Sequence, residues 1–195
     1  TWVKEWLCHL LNDDFNIVKS PKSFNSQVGV PLSVWMMNGE NNLGIFEAGI
    51  SMPGEMENLA DIIQPDIGVF TYLGDAHSVN FTDRHTKLAE KWKLFDGVKT
   101  VVACRDQPEI ERMIDNDKEH AKTFFTWSVE DASTTDIHIT YEKADKGTLI
   151  RYKQNGDDPS GIFIPFDDEA SLWNASTCLT TLQAMGLDPT DLASR

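Results

Sequence analysis

Four short apolar runs closed by polar or turn-forming residues most narrow the folds open to this chain: Phe15 to Val18, Leu43 to Phe46, Ile67 to Leu73 and Val98 to Cys104. Each is too short for a helix and continuous rather than alternating, so each reads as a strand covered on both faces. Stretches of helical spacing separate and follow them, around Val30 to Met37, Met56 to Ile63, Lys87 to Phe95 and Pro108 to Ile114. A strand that runs parallel to its neighbour needs a crossover, and a helix is the usual one. The alternation therefore predicts an α/β fold with a largely parallel sheet covered by helices.

Beyond about Lys122 the pattern changes. Ile137, Ile139 and Tyr141 alternate with His138, Thr140 and Glu142, the signature of a half-exposed strand. Lys146-Gly147 turns the chain into Thr148 to Lys153, and Gly161 to Phe166 offers another strand, so a smaller antiparallel section is expected in the C-terminal half. Leu172, Ala175, Leu179, Leu182 and Met185 mark one face of a final helix that Gly186 can end. At the other end, Val3, Trp6, Leu7, Leu10 and Leu11 lie at helical spacing with nothing before Thr1 to cap them, as though the chain began inside an element. No internal repeat or low-complexity segment interrupts the series. A length of 195 residues suits one domain.

The 31 acidic residues outnumber the 17 basic ones, giving a net charge of −14. Binding nucleic acid requires cations that displace counterions from phosphate, so such a partner is excluded as an expectation. A bound nucleotide would have to be neutralised locally, by backbone amides, a lysine or a divalent metal, which predicts metal dependence. Cys8, Cys104 and Cys178 are widely spaced among apolar neighbours and suit buried thiols in a reducing compartment. No apolar run approaches the roughly 20 residues of a membrane span, and no signal-peptide pattern opens the chain. A soluble, cytoplasmic protein without membrane partners is expected.

Ligands of open parallel sheets bind beyond the carboxyl ends of the strands. Two segments place chemistry there. In Leu43-Gly-Ile-Phe-Glu47-Ala-Gly49 a carboxylate closes an apolar strand, which suits a hard-oxygen ligand for Mg²⁺ and equally a solvated glutamate at a loop start. In Thr71-Tyr-Leu-Gly74-Asp75-Ala-His77 a flexible glycine presents an acid and an imidazole at the same sheet edge, where a lone histidine can also be plain surface. A third feature is Lys91, three residues after Leu88 and four before Phe95, which puts it on the apolar face of a helix. An ammonium there is costly unless it is paired or modified, or unless its stem snorkels to water.

In this order and spacing the three segments resemble the Mur ligases, the ATP-dependent amide-bond-forming enzymes of peptidoglycan synthesis, over nearly the whole chain. Thr1-Trp-Val-Lys-Glu resembles the residues that follow Gly-Lys in the family's P-loop, with Thr1 as that motif's last residue and its glycines and lysine lying outside the sequence. Ser23-Phe-Asn25-Ser-Gln-Val-Gly29-Val-Pro31 and Met52-Pro-Gly54-Glu55 are similar to segments of the MurF type. The resemblance implies a P-loop NTPase-like sheet and assigns Mg²⁺ to Thr1, Glu47, His77 and Lys91, the last carried as a carbamate. It assigns catalysis to Glu47, His77 and Lys91, and ATP contacts to Thr1 and to Asn174 in Asp168-Glu-Ala-Ser-Leu-Trp-Asn174. Tyr72 stands where relatives carry Asn, and Ala170-Ser171 where they often carry His-Asn.

The implied activity joins D-alanyl-D-alanine to UDP-MurNAc-tripeptide through an acyl phosphate. The chain is then the central domain of a longer enzyme, with N-terminal and C-terminal flanking domains absent, and by itself is expected to bind ATP weakly and to be inactive or nearly so. Two alternatives stand beside this reading: a folylpolyglutamate synthase-like ligase sharing the ATP site, and a non-catalytic nucleotide-binding scaffold.

Overall fold

A computed structural model describes residues 1–74, 80–81, 83–117, 122–154 and 158–195. The chain divides into two compact units, one comprising Thr1–Gly68 and Leu73–Val98, the other Val69–Tyr72 and Lys99–Arg195.

The first unit opens with helix α1 (Trp2–Leu11), whose buried face carries Val3, Lys4, Leu7, Cys8 and Leu11. The short strands β1 (Ile17–Lys19) and β2 (Leu43–Ile45) pair in parallel, Val18 opposite Gly44. Between them runs α2 (Gly29–Trp35), and α3 (Glu55–Ile63) follows β2. Helix α4 (Arg84–Trp92) is capped by Asp83, whose carboxylate accepts from the backbone N–H of Thr86 at 2.7 Å, and continues into a 3-10 turn, Lys93–Phe95. The core of this unit joins Val30 of α2 with Ile50, Met56, Leu59 and Phe81.

The second unit is built on a sheet of strand order β3 (Ile67–Val69), β4 (Thr100–Cys104), β5 (Thr123–Ser128), β6 (Ile137–Ala144), β7 (Gly147–Gln154) and β8 (Ser160–Ile164). Strand β3 enters this unit at Val69, and the Phe70 amide beyond it donates to Val102 at 2.8 Å. Helix α5 (Pro108–Asn116) follows β4 and has Pro108 in its first turn, where a missing N–H costs nothing. Helix α6 (Glu169–Ala184) starts at Asp168, which accepts from the Ser171 amide at 2.9 Å, and a short helix α7 (Pro189–Leu192) ends the chain. Trp127, Ile137, Ile139, Ile150 and Leu179 form the core of this unit. Gly186 ends α6 at φ 77°, and the Leu187 N–H returns to Leu182 at 3.0 Å.

The fold class is as expected, and the difference lies in β5. The change of pattern after Lys122 does not end the parallel arrangement: β5 lies parallel to both β4 and β6, with Val102 opposite Phe125 and Trp127 opposite Ile137. The Asp136 carboxylate holds the β5–β6 junction by accepting from the Thr126 amide at 2.7 Å and its hydroxyl at 2.9 Å. Strand β7 pairs antiparallel with both β6 and β8. Their first hairpin turns at Gly147, where a side chain would meet the Ile164 carbonyl oxygen at 2.1 Å.

Candidate functional site

Glu47 sits just past the carboxyl end of β2 and is held from every side. Its side chain is 20% exposed. The Thr1 hydroxyl donates to Oε2 at 2.9 Å and the Asn25 side-chain amide donates to Oε1 at 2.8 Å. The Glu47 backbone N–H donates to the Ser20 hydroxyl at 3.1 Å. Burial pushes this carboxyl up, but the hydrogen bonds donated to it, those from the Asn25 amide and the Thr1 hydroxyl foremost, leave it below the usual glutamate range. An ionised carboxylate therefore stands beside a hydroxyl at the start of a helix.

Local sequence explains the arrangement. Thr1 occupies the N-cap position of α1 but makes no side-chain cap, leaving its hydroxyl for Glu47. Asn25 is carried by a tight loop in which its N–H donates to Ser23 at 2.8 Å and its carbonyl accepts from Gly49 at 2.7 Å. A β-carbon on Gly49 would lie 3.0 Å from Asn25 Cγ, and one on Gly29 would lie 2.8 Å from the backbone of Phe24. Both glycines are thus what let the loop close over Glu47.

Helix α4 carries the predicted lysine. Leu88, Trp92 and Phe95 are buried as the spacing requires. Lys91 is half-buried, and among the described residues its ammonium has no hydrogen-bond or ion-pair partner. Burial, and then the charge of Lys87, push its amine below the ordinary lysine value. The fully packed lysine of this helix is instead Lys87, 3% exposed, whose Nζ donates to the Gly74 carbonyl at 2.6 Å. Arg84 donates to the Leu73 carbonyl at 3.0 Å, so α4 grips the backbone on the way into residues 75–79. His77 and Asp75 fall within those residues, outside the described ones.

Glu90 joins α4 to α3. Its Oε1 accepts from the Gly54 N–H at 2.6 Å, and Oε2 pairs with Lys93 at 3.0 Å. Gly54 is the N-cap of α3 at φ 86° and has no side chain to cap with, so Glu90 does so from the neighbouring helix.

Asn174 lies on the first turns of α6 in the second unit, half-buried. Beside it, Trp173 donates its indole N–H to the Thr71 carbonyl at 2.7 Å and meets Tyr72 edge-on at 5.3 Å between ring centroids. Tyr72 is therefore an aromatic partner to Trp173.

Of the predicted residues, Thr1 and Glu47 are in direct contact, while Lys91 makes no hydrogen bond to either among the described residues. Asn25, Ser20 and Lys87 were not singled out as site residues in the sequence. The signal for Asn25 was its spacing from Gly29 and the matching Glu47-Ala-Gly49 across the loop.

The Mur ligase middle-domain profile matches residues 1–181. The chain belongs to the Mur ligase family. Within the Mur ligases it is 24% identical, over 99% of its length, to the UDP-N-acetylmuramoyl-tripeptide--D-alanyl-D-alanine ligase of Bacillus subtilis, of which it covers 41%. Against the enzyme of the same name from Synechocystis it is 26% identical over 100% of its length, covering 40% of that protein. The MurF ligase of Thermotoga maritima in complex with ADP superposes with a TM-score of 0.83 at 22% identity, over 100% of this chain and 45% of that one. FPGS from L. casei superposes at 0.68 with 11% identity, over 98% of this chain and 58% of that one. This Mur ligase chain thus spans about two fifths of the length of the curated relatives it matches.

The Thr1–Glu47 pair fits a hard divalent cation, because both groups offer oxygen and the carboxylate is ionised. Among the described residues no three of His, Cys, Asp and Glu are gathered as a metal-binding group. Lys91 can offer oxygen to a cation beside Glu47 only as a carbamate. Cys8, Cys104 and Cys178 are buried thiols outside any disulfide, as expected. No helix among the described residues is long and apolar enough to cross a membrane.

Proposed function

We propose that this Mur ligase middle domain serves a cytoplasmic, MurF-type enzyme, holding Mg²⁺-ATP while D-alanyl-D-alanine is joined to UDP-MurNAc-tripeptide. The observation that carries the reading is the ionised Glu47 carboxylate held between Asn25 and the Thr1 hydroxyl, at the strand end where such sheets bind ligands. The names and lengths of the relatives support a longer chain with domains on either side of this one.

The reaction must bring an anionic carboxylate to an anionic phosphate. The substrate carboxylate forms a bond to the γ-phosphorus of ATP as the bond to ADP breaks, and the dipeptide amine then displaces phosphate from the acyl phosphate. Bound Mg²⁺ would neutralise phosphate charge. Thr1, Glu47 and His77 would hold it, joined by Lys91 as its carbamate, and Asn174 would contact adenine. Asn25 fixes the Glu47 oxygens in place before substrates arrive, so no reorganisation is needed as charge develops. Lys91 suits carbamylation: its amine is pushed down by burial and meets no carboxylate among the described residues, which favours the neutral nitrogen that attacks carbon dioxide and then gives up a proton. Magnetic resonance with ¹³C-bicarbonate should give one carbamate signal that Lys91→Ala removes.

The decisive experiment measures phosphate release by the longer ligase that contains this domain. Release should require both UDP-MurNAc-tripeptide and D-alanyl-D-alanine. Release driven by a folate and glutamate would replace this reading with the folylpolyglutamate synthase-like one, and ATP binding with no turnover on either pair would favour a scaffold. The isolated chain should bind Mg²⁺-ATP weakly or not at all by calorimetry, and submicromolar binding would contradict its assignment as an incomplete site.

A further inference from the structure

One buried cation of the first unit has no place in the reading above. Lys4, one helical turn from Thr1 on α1, is 5% exposed and lies on the apolar face with Val3, Leu7 and Leu11. A lone ammonium there would be strongly unfavourable, yet its three donors are all used. Nζ donates to the Ser20 carbonyl at 2.5 Å and to the Lys22 carbonyl, and meets Glu5 Oε1 at 3.0 Å. Neither carbonyl belongs to a helix or strand. Both belong to the loop that leaves β1 and leads to Asn25.

That loop needs holding. Lys22 adopts φ 49°, a left-handed conformation that a residue with a β-carbon adopts at some cost. Ser20 is fully buried; its N–H donates to Ile45 at 3.2 Å and its hydroxyl accepts from the Glu47 amide at 3.1 Å. The loop then turns through Ser23 into Asn25, whose amide holds Glu47 Oε1. Two residues of one helical turn thus reach the same carboxylate by different routes: Thr1 touches Oε2 directly, and Lys4 ties down the loop that brings the donor to Oε1.

We propose that Lys4 is a positioning residue for the site, its ammonium holding the Ser20 and Lys22 carbonyls so that Asn25 stays on Glu47. The functional meaning of this rests on Glu47 being the metal-holding carboxylate. The geometry itself is tested without nucleotide or metal, so absence of ligase activity and failure of this inference are separate results.

The experiment is amide exchange and chemical shift of the Asn25 side-chain NH₂ by magnetic resonance on the whole chain. In Lys4→Met, which keeps the stem and loses the donors, the Asn25 amide should exchange about tenfold faster, as expected for loss of one hydrogen bond, and move towards the shifts of a solvated asparagine. Leu59→Ala, which weakens the core of the same unit without touching the loop, should leave the Asn25 amide as it is. Wild-type exchange in Lys4→Met, or an equal acceleration in Leu59→Ala, would overturn the proposal. Where Lys4→Met does not fold, Lys4→Arg decides: a planar guanidinium keeps the charge but cannot direct three tetrahedral donors, so faster exchange at Asn25 upholds the proposal and unchanged exchange overturns it.

Discussion

Replacing Glu90 by glutamine should weaken the first unit in a way that depends on pH. The side chain is 7% exposed, accepts from the Gly54 N–H at 2.6 Å and more weakly from Met56 at 3.4 Å, and pairs with Lys93 at 3.0 Å. Lys93 also reaches Glu57 at 2.8 Å, so α4, the 3-10 turn and the start of α3 meet at this one carboxylate. A hydrogen bond to a charged group contributes about 1.5–3 kcal/mol, a neutral one about 0.5–1.5 kcal/mol. Glutamine keeps the shape and one acceptor, so Glu90→Gln should cost about 1–2 kcal/mol at pH 7 by urea unfolding. Alanine also leaves an N–H of the α3 terminus without its partner and should cost about 3 kcal/mol. Burial raises the Glu90 carboxyl, but Lys93 and the Gly54 and Met56 amides outweigh it, so its folded value lies below its unfolded one. The stabilisation is therefore fully present above the unfolded value of about 4.3 and is lost as pH falls through the lower folded value. The gap between wild type and Glu90→Gln should close over that window. A difference below about 0.5 kcal/mol at pH 7, or one that does not shrink as pH falls well below the unfolded value of about 4.3, would refute the capping role.

Other perturbations give sharper local readings. Gly29→Ala places a β-carbon 2.8 Å from the Phe24 backbone, and calorimetry should show a loss of about 1–3 kcal/mol. Gly49→Ala meets Asn25 Cγ at 3.0 Å, so it should perturb the Asn25 side-chain resonances more than it lowers the unfolding midpoint. Asp83→Ala removes the α4 cap and should cost about 1 kcal/mol, read by urea unfolding, with the loss confined to exchange protection in α4. Gly147→Ala meets a carbonyl oxygen at 2.1 Å in the β6–β7 turn and should destabilise the second unit by several times as much as Asp83→Ala destabilises the first.

Much of the fold was legible because it rests on patterns with one physical reading. Continuous apolar runs marked β2 and β4, and the end of α6 was marked by Gly186. Strand β5 was missed because Phe124, Phe125 and Trp127 are broken by Thr126, whose hydroxyl donates to Asp136, ten residues later. Glu47 and Thr1 were legible through the family's motifs, and their contact follows from α1 starting where β2 ends. Lys4 and Lys87 were not, since a lysine on an apolar face reads as snorkelling until the carbonyls that accept from it are located. Asn25 needed the loop geometry, which Lys22 at φ 49° and two close glycines set and which no periodicity announces.

The central claim is that Glu47 is held ionised to serve a metal-bound nucleotide. Its most direct test is Glu47→Gln in the longer ligase that contains this domain, measured as phosphate release with UDP-MurNAc-tripeptide and D-alanyl-D-alanine at saturating Mg²⁺-ATP. Turnover should fall on the order of 10²–10³-fold, the usual effect of losing a group that stabilises transferred phosphate, while the urea midpoint stays close to wild type. Turnover within about threefold of wild type in a folded variant would contradict the account, since a loss of that size is under 1 kcal/mol of barrier.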